Sequence, residues 1–215
     1  GLAAVLRNEL APGCSTIGKA GTLAGSGASE LLDLLVMGKN PLEKSLGLAT
    51  ANALLCPDDG EREQDSIALM GLSSGDQVAM VGYFGPLVER IKKTGATLQI
   101  IERDPHRMDQ TPNRKDGDRI LQECSVAIIT ATSILNDTIE EILNGLGAPR
   151  HVTILGPSTP LCEEAFYQTP VTHLGGSAIQ DPRKVMQIIS EGGGTPHMRP
   201  HLRFIDRTIR RNDDA

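Results

Sequence analysis

Four short polar stretches of this 215-residue chain carry the groups from which a small-molecule site could be built. The first, Gly82-Tyr83-Phe84-Gly85, is a turn bounded by glycines, which lets backbone N–H groups approach a ligand closely. The second is Glu102-Arg103, an acid beside a base. The third runs Thr130-Ala131-Thr132-Ser133 and on to Asn136-Asp137-Thr138, a set of hydroxyls around one amide. The fourth is Gly156-Pro157-Ser158-Thr159. Hydroxyl, amide and carboxylate groups suit a small organic ligand or a metal chelator better than a bare soft metal, which prefers thiolate and imidazole. Glu102 lies 20 residues beyond Gly82, the place where an acid takes a ribose hydroxyl pair in dinucleotide sites. The turn itself is GxxG and not GxGxxG, so the dinucleotide fingerprint is incomplete.

Each stretch also has a structural reading. Ser158 and Thr159 precede Pro160 and suit a helix cap, and no G-x-S-x-G elbow surrounds them. Arg103 is either an anion clamp or a surface partner of Asp104. Weaker metal candidates are His106, the pair His197 and His201, and Cys162. The pair stands at i,i+4, but Pro200 between them argues against a regular helix. Cys162, just after Pro160, would sit in the first turn of a helix, where the dipole favours a thiolate; packing is the plainer role. Arg199, Arg203, Arg207 and Arg211 recur every four residues and make a basic stripe if the tail is helical. No catalytic constellation emerges.

The elements that must position these groups are legible from about residue 78. Val78–Val81 reads as a strand ending at Gly82, Gly85-Pro86 as the start of a helix that Gly95 stops, and Leu98–Ile101 as a second strand, together a βαβ unit. A helix over 114–124, strands over 126–130 and 152–156, and a weaker strand over 171–174 follow. Asp137, with Glu140 three residues on, has the form of a capping box. Thr159-Pro160 opens a further helix through Phe166, and Asp181-Pro182 caps the last. Continuous apolar strands alternating with amphipathic helices specify a Rossmann-like open parallel sheet of about five strands with helices on both faces. Ligands bind outside the carboxyl ends of such strands, where all four polar stretches fall.

Ahead of this, Gly1–Leu10 reads as a strand, Ala28–Met37 as a helix and Asn40-Pro41 as the start of a second one. The expected organisation is a small α+β N-terminal domain over 1–60, the Rossmann-like domain over 75–191 and a tail over 192–215. The chain begins at Gly1 rather than Met, which points to a natural N-terminal piece before it.

A net charge of −6 and only five aromatics argue against nucleic acid and anionic membranes as partners. No apolar run approaches the roughly 18 residues of a membrane span. Cys14, Cys56, Cys124 and Cys162 form no CxxC pair and read as reduced thiols of a cytoplasmic protein. A homodimer is the default expectation.

The run VGYFG…IIERDP…IITATSILNDT…ILGPSTPL resembles the putative heavy-metal chelation domain family, over roughly Val78 to Ile189. The order of ERDP, T-x-T-x-x-x-N-x-T and GPST carries the resemblance. The front segment is similar to the domain that precedes it in that family, itself similar to the enolase N-terminal domain, and looks clipped. The resemblance implies a Rossmann-like fold and heavy-metal handling, and no catalytic residues are carried over from it. Where the family has glycine after the first threonine of the third stretch, this chain has Ala131, whose methyl is expected to crowd a ligand. The leading expectation is a ligand crevice between the front domain and the sheet edge, with Glu102 and Asn136 orienting the ligand and the two glycine turns supplying N–H groups. The alternatives are a metallochaperone module binding a divalent heavy metal through His or Cys, and an S-adenosylmethionine- or NAD-dependent enzyme.

Overall fold

The computed structural model describes residues 1–12, 17–55, 65–102 and 114–211. Its centre is a six-stranded sheet: β1 (Gln77–Val81), β2 (Thr97–Ile101), β3 (Val126–Thr130), β4 (His151–Leu155), β5 (His173–Ile179) and β6 (Leu202–Thr208), in the order β2-β1-β3-β4-β5-β6. The first five are parallel and β6 is antiparallel to β5. The helices are α1 (Ala28–Met37), α2 (Pro41–Leu54), α3 (Ser66–Met70), α4 (Gly85–Lys93), α5 (Arg114–Glu123), α6 (Thr132–Leu135), α7 (Ile139–Asn144), α8 (Pro182–Ser190) and α9 (Thr195–Met198). The Rossmann-like α/β architecture is therefore as expected.

Why the strands read as continuous apolar runs is plain from the two cores. Successive strand residues point to opposite faces. Val78, Met80, Val126 and Ile128 pack with Ile67, Met70, Val88 and Ile91 on one face. Ala79, Ala127, Ile129, Val152 and Ile154 pack with Ile120, Leu121, Leu174 and Ile205 on the other. Met80, Ile91, Ile128 and Ile154 are wholly buried, each worth about 1.5–3 kcal/mol of burial. Helix starts follow local chemistry. Asn40 Oδ1 accepts from the N–H groups of Leu42 and Glu43, both at 3.0 Å, with Pro41 opening α2. Asp181 Oδ1 accepts from Lys184 N ahead of α8.

Five expectations need correction. Gly1–Leu10 is not a strand: residues 1–6 pair with no strand, and Arg7–Glu9 is a 3-10 turn. The backbone groups of Leu2 and Ala4 are taken by side chains instead. Thr159-Pro160 opens no helix, and only Glu164–Phe166 forms a 3-10 turn. Leu161 is buried there and its carbonyl accepts from Arg207 Nη1 at 2.6 Å, which holds the segment against the sheet. Asp137 is not a cap; Thr138 occupies that position of α7, with no side-chain capping bond. The fifth strand begins at His173 and runs on through Gly175 and Gly176. A Cβ at Gly176 would lie 2.9 Å from Leu161 Cγ, so the strand needs glycine there. Finally, the tail makes no helical basic stripe, because Leu202–Thr208 is the edge strand of the sheet. Arg211 Nη2 donates to the Thr169 and Val171 carbonyls.

Candidate functional site

The strand order reverses between β1 and β3: the chain leaves β1 for β2 on one side, and leaves β3 for β4 on the other. In open α/β sheets the loops at this point diverge and leave a crevice at the carboxyl edge. Gly82, at the end of β1, has φ 87, and a Cβ there would meet Thr130 Cγ2 at 2.8 Å. Glycine is thus required twice over, by conformation and by the close approach of β3. Glu102, at the end of β2, accepts from Tyr83 N at 3.0 Å, fastening the β1 turn to the neighbouring strand end. Tyr83 itself is 42% exposed, and the ring of Phe84 reaches toward Gly156.

Beyond β3 the hydroxyls of Thr130 and Thr132 are 3.0 Å apart, and Ser133 Oγ donates to the Thr130 carbonyl. Thr138 Oγ1 donates to Asn136 Oδ1 at 2.7 Å. Asp137 between them has φ 57, a region few non-glycine residues visit. Ala131 belongs to the buried core, so its methyl packs inward and does not crowd the edge.

The front segment closes over this edge from above. Lys44 of α2 forms an ion pair with Asp137. Ser45 Oγ donates to the Ala4 carbonyl at 2.6 Å, and Ala4 N donates to Ser158 Oγ at 2.8 Å. Asn52 Nδ2 donates to the carbonyls of Leu2 and Ser158. Ser158 is therefore a structural clasp rather than a helix cap. Two polar atoms beside it, Asn52 Oδ1 and Thr159 Oγ1, are buried without a hydrogen-bond partner among the described residues.

The structure thus gathers Gly82 to Gly85, Glu102, Thr130, Thr132, Asn136, Thr138 and Gly156 to Thr159 at one edge of the sheet. Arg103 and His106 lie outside the described residues. The N–H groups expected to face a ligand are largely engaged: those of Gly82, Tyr83, Gly156 and Thr159 donate to Ile101 O, Glu102, Gly175 O and Gly156 O. His197 lies in α9 and His201 in the 3-10 turn Arg199–His201. Cys162 stands at no helix start, and its thiol donates to Glu164 Oε2 at 3.5 Å. Cys162 and Cys124 are free thiols, and Cys14 and Cys56 are outside the described residues. Among the described residues no three His, Cys, Asp or Glu side chains gather to hold a metal. The donors of this edge are oxygens and an amide, a poor fit to a soft heavy metal.

Sequence reasoning did not single out the opposite edge of the sheet. There Asp76, only 6% exposed, meets Arg150 through Nη2–Oδ2 at 2.9 Å and Nε–Oδ1 at 3.2 Å. Ser125 Oγ, Ser73 N and Ser73 Oγ also donate to its carboxylate. The Arg150 guanidinium holds the Asp76 carboxyl well below the usual carboxylate range, against the opposing effect of burial. Beside them the rings of His151 and His173 stack at 3.9 Å. Burial, with smaller effects of His173 and Arg150, lowers His151 to about 4. These groups lie across the sheet from the switch-point loops and complete no site with them.

Two family profiles match the chain, over residues 65–206 and residues 1–55, and both are described as putative heavy-metal chelation. The chain belongs to this family. It is 27% identical over 150 residues to an uncharacterized protein of Methanocaldococcus jannaschii, covering 67% of this chain and 58% of that protein. The chain therefore spans less than two thirds of that relative. A family member of unknown function from Pyrococcus horikoshii superposes with a TM-score of 0.80 at 21% identity, over 95% of this chain and 81% of that one. A second, from Desulfitobacterium hafniense, gives 0.72 at 23% identity, over 86% and 76%. Both likenesses establish the fold. No helix among the described residues is long and apolar enough to cross a membrane.

Proposed function

We propose that the protein binds a small organic ligand, a heterocycle, a nucleotide-like cofactor or a metal chelator, at the carboxyl edge of the sheet beneath α2. The observation that carries this is the strand reversal between β1 and β3, which collects Glu102, the Thr130–Thr132 hydroxyl pair and the Asn136–Thr138 pair around the Gly82 turn. Glu102 and Asn136 orient the ligand by hydrogen bonds, and the exposed Tyr83 offers a ring face at the mouth. A metal held within an organic chelator accommodates both the family's description and the oxygen-rich edge.

A thermal-shift screen of the purified protein tests this. It uses S-adenosylmethionine, nicotinamide dinucleotides, pterins and divalent metals, each with and without a chelator. A ligand at a hundred times its dissociation constant adds about 2.7 kcal/mol, which at this size raises Tm by about 5–10 °C. The expected result is a shift with an organic compound that Glu102→Ala abolishes. A chelator-reversible shift with bare metal alone, unchanged in Glu102→Ala, would sink the proposal.

A further inference from the structure

Lys44 sits on the face of α2 that is turned to the sheet, next to the buried Ser45 and one turn before the buried Leu48. Its side chain is 15% exposed, whereas that of its partner Asp137 is 71% exposed. The lysine is thus the more buried member of the pair, and its carboxylate partner the exposed one. A lysine usually buries its aliphatic stem and leaves the ammonium in water. Here the largely buried side chain ends on the carboxylate of Asp137, the residue between Asn136 and Thr138 of the proposed ligand edge.

The partner is held in an unfavourable way. Asp137 has φ 57, a conformation that an L-residue adopts at a cost. An ion pair with so exposed a carboxylate contributes little to stability. A partner that contributes this little is one that another anion can displace from the lysine. The edge has polarity as well, with the Glu102 carboxylate beyond β2 and the Lys44 ammonium over the loop that follows β3.

We infer that Lys44 is the anion anchor of this edge: its ammonium takes a carboxylate or phosphate group of the ligand in exchange for the carboxylate of Asp137. This rests on the reading of the edge as a ligand site, and it narrows the ligand class to acidic small molecules. Such a molecule presents hydrogen-bond donors toward Glu102 and its anionic group toward α2. No bond is made or broken in the exchange.

The test is an amide NMR titration of the full chain with inorganic phosphate and, separately, acetate, each against sodium chloride at matched ionic strength. A saturable shift of the Asn136, Asp137 and Thr138 amides is expected, and the stronger of the two anions identifies the group. Asp137→Asn removes the competitor and is expected to tighten binding about two- to fivefold, the range in which an exposed pair competes. Lys44→Met, which keeps the stem, is expected to weaken it about tenfold or more. Wild-type binding in Lys44→Met, or weaker binding in Asp137→Asn, overturns the inference; if Lys44→Met does not fold, the Asp137→Asn arm decides. The same titration with an organic hit from the screen separates the two proposals. Shifts at Gly82 and Thr132 that do not depend on Lys44 overturn the anchor and leave the ligand site standing. A Lys44-dependent anion response with no organic compound reaching Gly82 or Thr132 overturns the ligand site instead.

Discussion

Arg150 meets Asp76 through two of its nitrogens while its third, Nη1, donates to the Met70 carbonyl at 2.9 Å. One guanidinium therefore ties the end of α3 to the residue preceding β1 and to the start of β4. Asp76 is the buried member and Arg150 the half-exposed one, so the loss of the acid leaves a cation that water can still reach. Asp76→Asn is expected to cost about 2–3 kcal/mol, below the range for a fully buried pair. Urea unfolding followed by circular dichroism measures it.

The same pair sets one part of the acid stability. Because the folded pKa of Asp76 is depressed, its contribution is complete above the unfolded value near 3.9 and is lost as pH falls further. Comparing wild type and Asp76→Asn from pH 6 to pH 2 should show two curves that converge at the acid end.

His151 acts in the window above. Its folded value of about 4, against an ordinary 6.5, means the folded state prefers the neutral ring. Stability is then full above about 6.5 and falls, by about 3 kcal/mol at most, as pH drops toward 4. His173 is lowered as well, by burial, and contributes in the same direction. His151→Phe keeps an aromatic ring beside His173 and should flatten this slope. An unchanged slope between pH 6.5 and 4 would assign it to other groups.

Gly82→Ala should destabilise by about 1–3 kcal/mol, because the left-handed φ and the approach of Thr130 both oppose a methyl group. Pairing it with Thr130→Ala or Thr130→Ser relieves the clash with Thr130 Cγ2 but not the dihedral. A double-mutant cycle measures the Cγ2 part alone, because Thr130 Cβ, 2.9 Å from the added methyl, remains in both variants.

Thr159→Val should be neutral or stabilise by up to about 1 kcal/mol, since the buried hydroxyl has no hydrogen-bond partner among the described residues. A loss of about 1 kcal/mol or more in chemical denaturation would show that the hydroxyl is satisfied from outside the described residues.

Much of the fold was legible because local and global signals agree. The β1-α4-β2 unit, β3, β4, the Asn40 cap and the Asp181 cap all stand where hydrophobic runs and cap residues put them. The failures share a physical cause. An arginine every four residues fits one helix face, but four is also a multiple of two, so Arg203 and Arg207 fall on one face of β6 equally well. The extension of β5 hid behind Gly175-Gly176, glycines chosen by Leu155, Asp206 and Leu161 pressing on the strand and by no turn. Gly1–Leu10 has strand-like composition, yet Leu2 and Ala4 bond to Ser45, Asn52 and Ser158, partners no local window contains. The candidate edge was legible for a general reason, that the carboxyl ends of parallel strands all lie at one edge of the sheet. Lys44 and Asn52 were not, since they reach it from a segment folded over the top.

The bond from Ala4 to Ser158 spans 154 residues, and that from Asn52 to Ser158 spans 106. Closing so long a loop has an entropic cost that must be met before these contacts form. During synthesis the bonds to Ser158 therefore form only after β4 and the turn after it have left the ribosome, whereas those from Ser45 and Asn52 to the first residues need only α2. Pulse-labelled hydrogen exchange on refolding should show Ala4 becoming protected after Val78–Met80 and Val126–Ile129. The front segment would then be the last part of the molecule to find its place and the first to leave it under mild denaturant.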